Sequence, residues 1–463
     1  MAAGEPGAVE DGDRKGGLRA ALGGLTTRGR SFLAAGLAAA ACAYVLGQSD
    51  LLRVGLLLAV LPLVCVTVLY RTRYRVTGTR RLSPSRVPAG AQARVPAGAQ
   101  ARVHLRMENV SRLPTGLLML QDRVPYVLGP RPRFVLDRVE AAGRREVSYR
   151  VRSDLRGRYP LGPLQLRLGD PFGMCELTRS FSAYDTLVVI PRTVPLPALR
   201  LAGEASGYGD GRQRSLALAG EDDIIPRGYR HGDDLRRVHW RSTARHGELM
   251  VRREEQPQRA RCTVLLDTRQ IGYEGAGPDS AFEWAVSGAA SALVHMLERG
   301  FAVRLLTDDG NAVPGEGTGG FAGTTQESAD SAGLMLDTLA VVGHSDGGGL
   351  SRAHDVLRGG NEGLLIAFFG DLDEEQAAVA ARMRQRAGAG VAFVLDSAVW
   401  AGEAGAAGRA EERLRRLRES GWTAVPVEPG DELPDLWQVA GGMRSDTPSA
   451  PSGGATGFAG GWS

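Results

Sequence analysis

Two uninterrupted apolar runs near the N-terminus constrain this chain most. Ser31 to Gly47 and Val54 to Tyr70 each run 17 residues without a charge, separated by a short polar stretch around Gln48, Ser49, Asp50 and Arg53. A hydrocarbon core of about 30 Å takes roughly 20 helical residues at 1.5 Å each, so the runs predict two short transmembrane helices joined by a tight turn. Arg14, Lys15, Arg19, Arg28 and Arg30 precede the first run, and Arg71, Arg73, Arg75, Arg80 and Arg81 follow the second. Positive charge massed at the outer ends predicts a multi-pass plasma-membrane protein with its N-terminus and main domains in the cytoplasm. Two rival readings stay open. Ala41-Cys42-Ala43 has the small residues of a signal-peptide or lipoprotein processing site, and a soluble protein can bury such a hairpin in its core.

The remaining length suffices for two further domains of ordinary size. Lys15 is the only lysine, and a net charge of +4 over 463 residues is no nucleic-acid footprint, because phosphate binding needs clustered, uncompensated basic residues. Cys42, Cys65, Cys175 and Cys262 show no paired ligand spacing, so neither a disulfide framework nor a structural zinc site is indicated. No cofactor motif is present, and with no lysine after Lys15 a phosphate-binding Walker loop is excluded there.

Seven segments follow from pattern and composition: tails at 1–30 and 443–463 expected to be disordered, the hairpin at 31–70, a linker at 71–101, a β-domain at 102–200, a charged segment at 201–260 and an α/β domain at 261–442. In the linker the octet RVPAGAQA occurs twice in tandem. Residues 102–191 alternate over short runs such as VHLRMEN and LQLRLGD, which predicts a small sandwich. Arg156–Pro163 and Asp170-Pro-Phe-Gly173 within it read as turns, with Asp170 capping the second. From Cys262 continuous apolar strands alternate with amphipathic helices at 280–299, 332–341, 374–386 and 409–420, the pattern of a mostly parallel sheet covered on both faces. Asp267, Asp308, Asp371 and Asp396 fall at carboxyl ends of those strands, where open sheets bind ligands.

The charged segment reads GEDDIIPRGYRHGDDLRRVHWRSTARHGELMV from Gly220 to Val251. Over Glu221 to Glu255 eight arginines face eight carboxylates, an arrangement open to two readings: an ion-pair lattice, or a recognition surface of arginine forks around a tryptophan. Asp234 is a natural cap for a helix from Leu235 to Arg245, on which Arg237 and Arg241 share a face and Trp240 anchors beneath. His231, His239 and His246 lie close in sequence, but none has the three- or four-residue spacing of helical zinc ligands. Leu339 to Gly347 contains Gly343-His-Ser345-Asp-Gly347, which fits a nucleophile elbow; His354, nine residues on, is the only later histidine, and the preceding residues read as helix rather than strand.

The motif resembles the hallmark of the bacterial family called domain of unknown function 58, with Glu221, Arg227, Tyr229, Gly232, Asp233, Asp234, Arg236, Trp240, Arg241, Ala244 and Arg245 at matching positions. The resemblance implies a multi-domain α+β protein: a transmembrane hairpin, a β-sandwich-like domain and a C-terminal von Willebrand factor A-like α/β domain. In that fold an Asp-x-Ser-x-Ser loop holds Mg²⁺, whereas here the loop reads Asp267-Thr-Arg269-Gln-Ile271, leaving Asp267 and Asp371 as weak metal candidates and placing Arg269 where the cation belongs. It further implies partnership with a MoxR-type AAA+ ATPase, with a transglutaminase-like membrane protein as a second neighbour. The expected function is a non-enzymatic, membrane-anchored scaffold engaging that ATPase and a client, without catalytic residues or cofactor. A Mg²⁺-dependent ligand-binding module through Asp267 and Asp371, and a hydrolase using Ser345, are the alternatives.

Overall fold

The structure is a computed structural model that describes residues 23–73, 75–83, 93–112, 114–198, 226–229, 238, 240–252, 260–314, 321, 327–358, 362–401 and 406–442. The chain divides into two compact units, Met1–Ile190 and Pro191–Ser463.

The first unit opens with helices α1 (Thr27–Leu46) and α2 (Ser49–Arg73), both long and apolar enough to cross a membrane. The Thr26 side chain caps α1 by accepting the Gly29 N–H, and Gly47 ends it at φ +66°, a left-handed turn that a glycine makes without strain. The two helices pack closely because the contact is made of small residues. A Cβ on Gly36 would stand 2.6 Å from the Ala59 nitrogen, and one on Gly55 2.7 Å from the Ala40 nitrogen.

Ten strands follow: β1 (Val76–Ser83), β2 (Ala93–Pro96), β3 (Gln100–Asn109), β4 (Leu118–Asp122), β5 (Arg133–Leu136), β6 (Arg144–Arg152), β7 (Gly157–Leu161), β8 (Leu164–Gly169), β9 (Glu176–Ser180) and β10 (Asp185–Ile190). They form three small sheets, ordered β1-β3-β6, β2-β10-β7 and β5-β4-β8-β9. Alternate residues point into one core, with Val103, Leu105 and Met107 of β3 against Leu118, Leu120, Leu166 and Leu168. Leu33, Cys65, Val66 and Leu69 of the hairpin pack into that same core.

The expected linker at 71–101 is a correction: α2 runs on to Arg73, and β1 and β2 are full members of the sheets. Arg80 explains why β1 reads as a linker. Its guanidinium is buried, donating to Asp122 at 2.6 and 3.0 Å, to Asp185 at 3.0 Å and to the Leu161 carbonyl at 3.0 Å. Tyr149 donates its hydroxyl to the same Asp122 at 2.6 Å. Arg80 therefore spends its charge inside the β-unit and does not belong to the basic flank of the hairpin. Arg156–Pro163 is likewise more than a turn, since β7 pairs antiparallel with β10 at a sheet edge where Pro160 is tolerated.

In the second unit β13 (Arg261–Leu266), β14 (Ala302–Thr307), β15 (Ala312–Val313), β16 (Glu362–Phe369), β17 (Ala387–Leu395) and β18 (Thr423–Val427) form one sheet, after the separate hairpin strands β11 (Pro226–Gly228) and β12 (Met250–Arg252). Its order is β15-β14-β13-β16-β17-β18, parallel throughout except for edge strand β15. Helix α3 (Trp240–His246) precedes the sheet; α4 (Ala281–Glu298), α5 (Glu327–Val341), α6 (Ser351–Arg358), α7 (Glu374–Arg384), α8 (Ser397–Trp400), α9 (Ala406–Glu419) and α10 (Leu433–Gly442) accompany it. Strands β13, β14, β16 and β17 bury both faces. Val264, Leu266, Phe368 and Phe393 pack with Ala285, Ala289, Met296 and Trp437, while Leu265, Ala367 and Phe369 pack with Val379, Met383, Leu414 and Trp422. That two-sided burial is why these strands read as unbroken apolar runs. Strand order reverses between β13 and β16, so their carboxyl ends flank the crevice where this architecture seats ligands.

Candidate functional site

Asp267, Asp308, Asp371 and Asp396 stand just beyond the ends of β13, β14, β16 and β17, in an apex closed by its own side chains. Asp267 is fully buried and Arg269 is 1% exposed. The guanidinium forks onto the carboxylate, Nε to Oδ1 at 2.9 Å and Nη2 to Oδ2 at 2.7 Å, and Nη2 also donates to the Asp371 carbonyl at 2.9 Å. Backbone N–H groups of Arg269 at 3.1 Å and Gly370 at 3.2 Å complete the Asp267 shell. Gly370 is needed for the closeness of this crossing, because a Cβ there would overlap the Gly272 carbonyl. Burial pushes the Asp267 carboxyl up against the opposing pull of Arg269, and pushes the buried Tyr273 phenol well above its ordinary value.

Around this pair lie two further polar groups. Asp308 accepts the Thr268 N–H at 2.8 Å, the Thr268 hydroxyl, and the Ser345 hydroxyl at 2.6 Å. Ser345 also joins the loop as an extra strand residue, its N–H donating to the Thr268 carbonyl at 2.7 Å and its carbonyl accepting the Gln270 N–H at 3.0 Å. Asp371 accepts the Ser397 hydroxyl and an Arg413 N–H at 2.8 Å, and the same Arg413 nitrogen reaches Asp396 at 2.7 Å. Tyr273, Phe282 and His344 make an aromatic cluster beside the loop, with the Phe282 and His344 rings 4.0 Å apart.

The divalent cation implied by the fold resemblance does not fit these residues. Its principal carboxylate, Asp267, is saturated by a guanidinium and two amides, and Arg269 supplies the positive charge that balances it. Among the described residues no group of three or more His, Cys, Asp or Glu is placed to hold a metal. Ser345 lies in the loop after helix α5 rather than on a strand-to-helix turn, with its hydroxyl on Asp308, while the His354 ring lies 3.9 Å from Asp355.

The signature segment is exposed where the apex is closed. Tyr229 is half-buried and its N–H donates to the Leu249 carbonyl at 2.7 Å, closing the hairpin in which Arg227 of β11 pairs with Val251 of β12. Thr243 accepts the Met250 N–H at 3.0 Å and so ties α3 to that hairpin. Trp240 does not anchor beneath the helix as expected. It is 70% exposed, with Arg241, Ala244 and Arg245 also exposed. Glu221, Gly232, Asp233, Asp234, Arg236, His231 and His239 lie outside the described residues, as do Arg237, most of both tails and the first RVPAGAQA copy up to Gln92. Arg413, Ser397 and Thr268 belong to the apex without having been read from sequence; Arg413 sits in a run of charged helix residues that gives no local signal of its role.

Residues 226–331 match the family described as protein of unknown function DUF58. The matched stretch holds α3, the Asp267–Arg269 loop and α4. The chain is similar to the uncharacterized protein YeaD of Bacillus subtilis (strain 168), 28% identical over 158 residues, or 33% of this chain and 37% of the relative; the chain thus spans well under half of that relative's length. Among solved structures it is similar to a von Willebrand factor type A protein from Catenulispora acidiphila, at 10% identity and TM-score 0.25, covering 41% of this chain and 42% of that one. It is also similar to a FixG-related protein from Vibrio parahaemolyticus, at 11% identity and TM-score 0.16, covering 25% of this chain and 96% of that one.

Proposed function

From the premise that residues 226–331 carry a DUF58 segment, we propose that this protein is a membrane-tethered, non-enzymatic scaffold that docks a partner protein through the surface of α3. The observation that carries the reading is Trp240, 70% exposed at the start of a short helix whose next residues include exposed Arg241 and Arg245. An exposed indole on a segment that also carries exposed arginines has the composition of a binding hot spot, since tryptophan and arginine dominate such contacts and burial of the ring awaits a partner. The closed apex favours this site over the sheet's ligand crevice.

The hairpin supplies the tether. Arg28, Arg30 and Arg71 stand exposed at its outer ends, which by the positive-inside bias supports a cytoplasmic side for both units. The partner we assign is a MoxR-type AAA+ ATPase, on the family resemblance of the signature motif. The test is the affinity of that ATPase, purified with ATP, for the full-length protein in lipid nanodiscs. Trp240→Ala is expected to weaken binding by about 30-fold, the loss of a hot spot worth about 2 kcal/mol, and Arg245→Ala by less, with thermal unfolding unchanged in both. Equal binding by wild type and variants would overturn the docking site.

A further inference from the structure

Asp170-Pro-Phe-Gly173 is a turn held by Asp170 and Gly173. Asp170 accepts the Cys175 N–H at 2.6 Å and the Phe172 N–H at 3.1 Å, its carbonyl accepts the Gly173 N–H at 3.1 Å, and Gly173 takes φ +68°. Phe172 has no such duty and stands 59% exposed.

The turn is fastened to the foot of the hairpin. The Thr26 N–H donates to the Met174 carbonyl at 2.9 Å, the Thr26 hydroxyl donates to the Gly173 carbonyl at 2.7 Å, and the Glu176 N–H donates to the Gly24 carbonyl at 2.8 Å. Gly29, on the first turn of α1, faces the Met174 carbonyl so closely that any side chain would overlap it. Leu33, Cys65, Val66 and Leu69 bury the base of both helices in the β-unit core, so the turn cannot drift from the helix start.

This geometry fixes the depth of Phe172. Leu33 is already packed against the β-unit core, so in a hairpin that spans a bilayer the acyl chains begin beyond about Leu33, and the start of α1 near Thr27 lies about 9 Å below them, on the headgroup side. Exposed Arg28 and Arg30 agree with that level, as guanidinium groups belong among phosphates and not among acyl chains. An exposed apolar ring at the same height can bury itself at the headgroup–acyl boundary, as Phe does on interfacial segments that carry arginine on their polar side.

We propose that the Asp170–Gly173 turn is a membrane-interface wedge, with Phe172 seated in the headgroup region and Arg28 and Arg30 bound to the phosphates of anionic phospholipids. The proposal rests on the reading of the hairpin as membrane-spanning, and its test separates the two. The full-length protein in phosphatidylcholine nanodiscs, with or without phosphatidylglycerol, carries an environment-sensitive fluorophore on native Cys42, which is exposed on α1, or on Phe172→Cys in a Cys42→Ser background. Cys65, Cys175 and Cys262 are buried, and burial followed by the Asp170 carboxylate pushes the Cys175 thiol up to about 11, so none of the three competes for label near neutral pH.

The Cys42 probe is expected to be quenched by spin labels deep in the acyl chains. The probe at 172 is expected to be quenched by shallow spin labels, shielded from iodide, and more strongly so with phosphatidylglycerol, the increment being lost in Arg28→Gln/Arg30→Gln. A lipid-quenched Cys42 probe with an iodide-quenched probe at 172 overturns the wedge while the hairpin stands. An iodide-quenched Cys42 probe overturns the spanning reading and the wedge with it. Indifference of the 172 probe to phosphatidylglycerol overturns the assignment of the arginines.

Discussion

Each unit buries one arginine on an aspartate, and the two pairs do opposite things. Arg80 gathers Asp122 and Asp185, which lie 42 and 105 residues away, so its fork holds three small sheets together. Arg269 grips a carboxylate two residues away and fastens no distant strand beyond the Asp371 carbonyl. The first pair is a staple made by the fold. The second is a plug made by one loop, at the end of the sheet where the strand order reverses. Burial alone does not tell them apart, for all four side chains are 3% exposed or less. What distinguishes them is the sequence separation of the partners and the place in the topology.

The largest effect expected from breaking this contrast is at Arg80. Arg80→Met leaves Asp122 buried without its cation and is expected to cost about 3–5 kcal/mol in denaturant unfolding. Arg80→Lys is expected to recover little, because a point charge cannot serve Asp122, Asp185 and a carbonyl at once. A loss below about 1 kcal/mol for Arg80→Met, the size of a surface pair, would refute the staple. Next comes the polar ring beside the plug: Ser345→Ala removes one of three donors to buried Asp308 and is expected to cost about 1–2 kcal/mol by the same measurement.

The smallest effect lies away from both pairs, at His295. Burial, then nearby Arg299, lowers its pKa, and its ring meets Trp437 edge-on at 5.6 Å. A depressed folded pKa means that the unfolded chain takes up the proton first. Its contribution is therefore complete above the unfolded value of about 6.5 and is lost as pH falls through the lower folded value. Thermal scans at stepped pH are expected to show this acid-side slope in wild type and a flatter one in His295→Phe.

Much of this molecule was legible from the chain because its two strongest patterns are long apolar runs. The hairpin and the parallel strands carry no polar face, so they read as unbroken apolar runs. Strand β1 was not legible, since an edge strand needs few apolar residues and Arg80, on its buried side, looks like a flanking charge. Strand β7 was hidden by Pro160 and its bracketing glycines, which signal a turn even where an edge strand tolerates them. At the apex, position 269 revealed a positive charge in place of a metal ligand, but no local pattern ties Arg413 to Asp371 and Asp396, because that meeting is made by the order of strands and helices. The helical pattern around Trp240 does not say which side the indole takes, and it stands 70% exposed.

Arg269 stands where a cation would sit, and the proposed docking through α3 follows from that closed apex. That placement is tested most directly by Mg²⁺ titration of thermal stability for wild type and Arg269→Ser, the substitution that returns a hydroxyl to the loop. Wild type is expected to be indifferent to Mg²⁺ and to EDTA. Arg269→Ser is expected to unfold earlier without the ion and to regain about 2.7 kcal/mol at a Mg²⁺ concentration 100 times its dissociation constant. Mg²⁺-dependent stabilisation of wild type that EDTA reverses would contradict the account, for it would mean that the apex admits a cation with Arg269 in place.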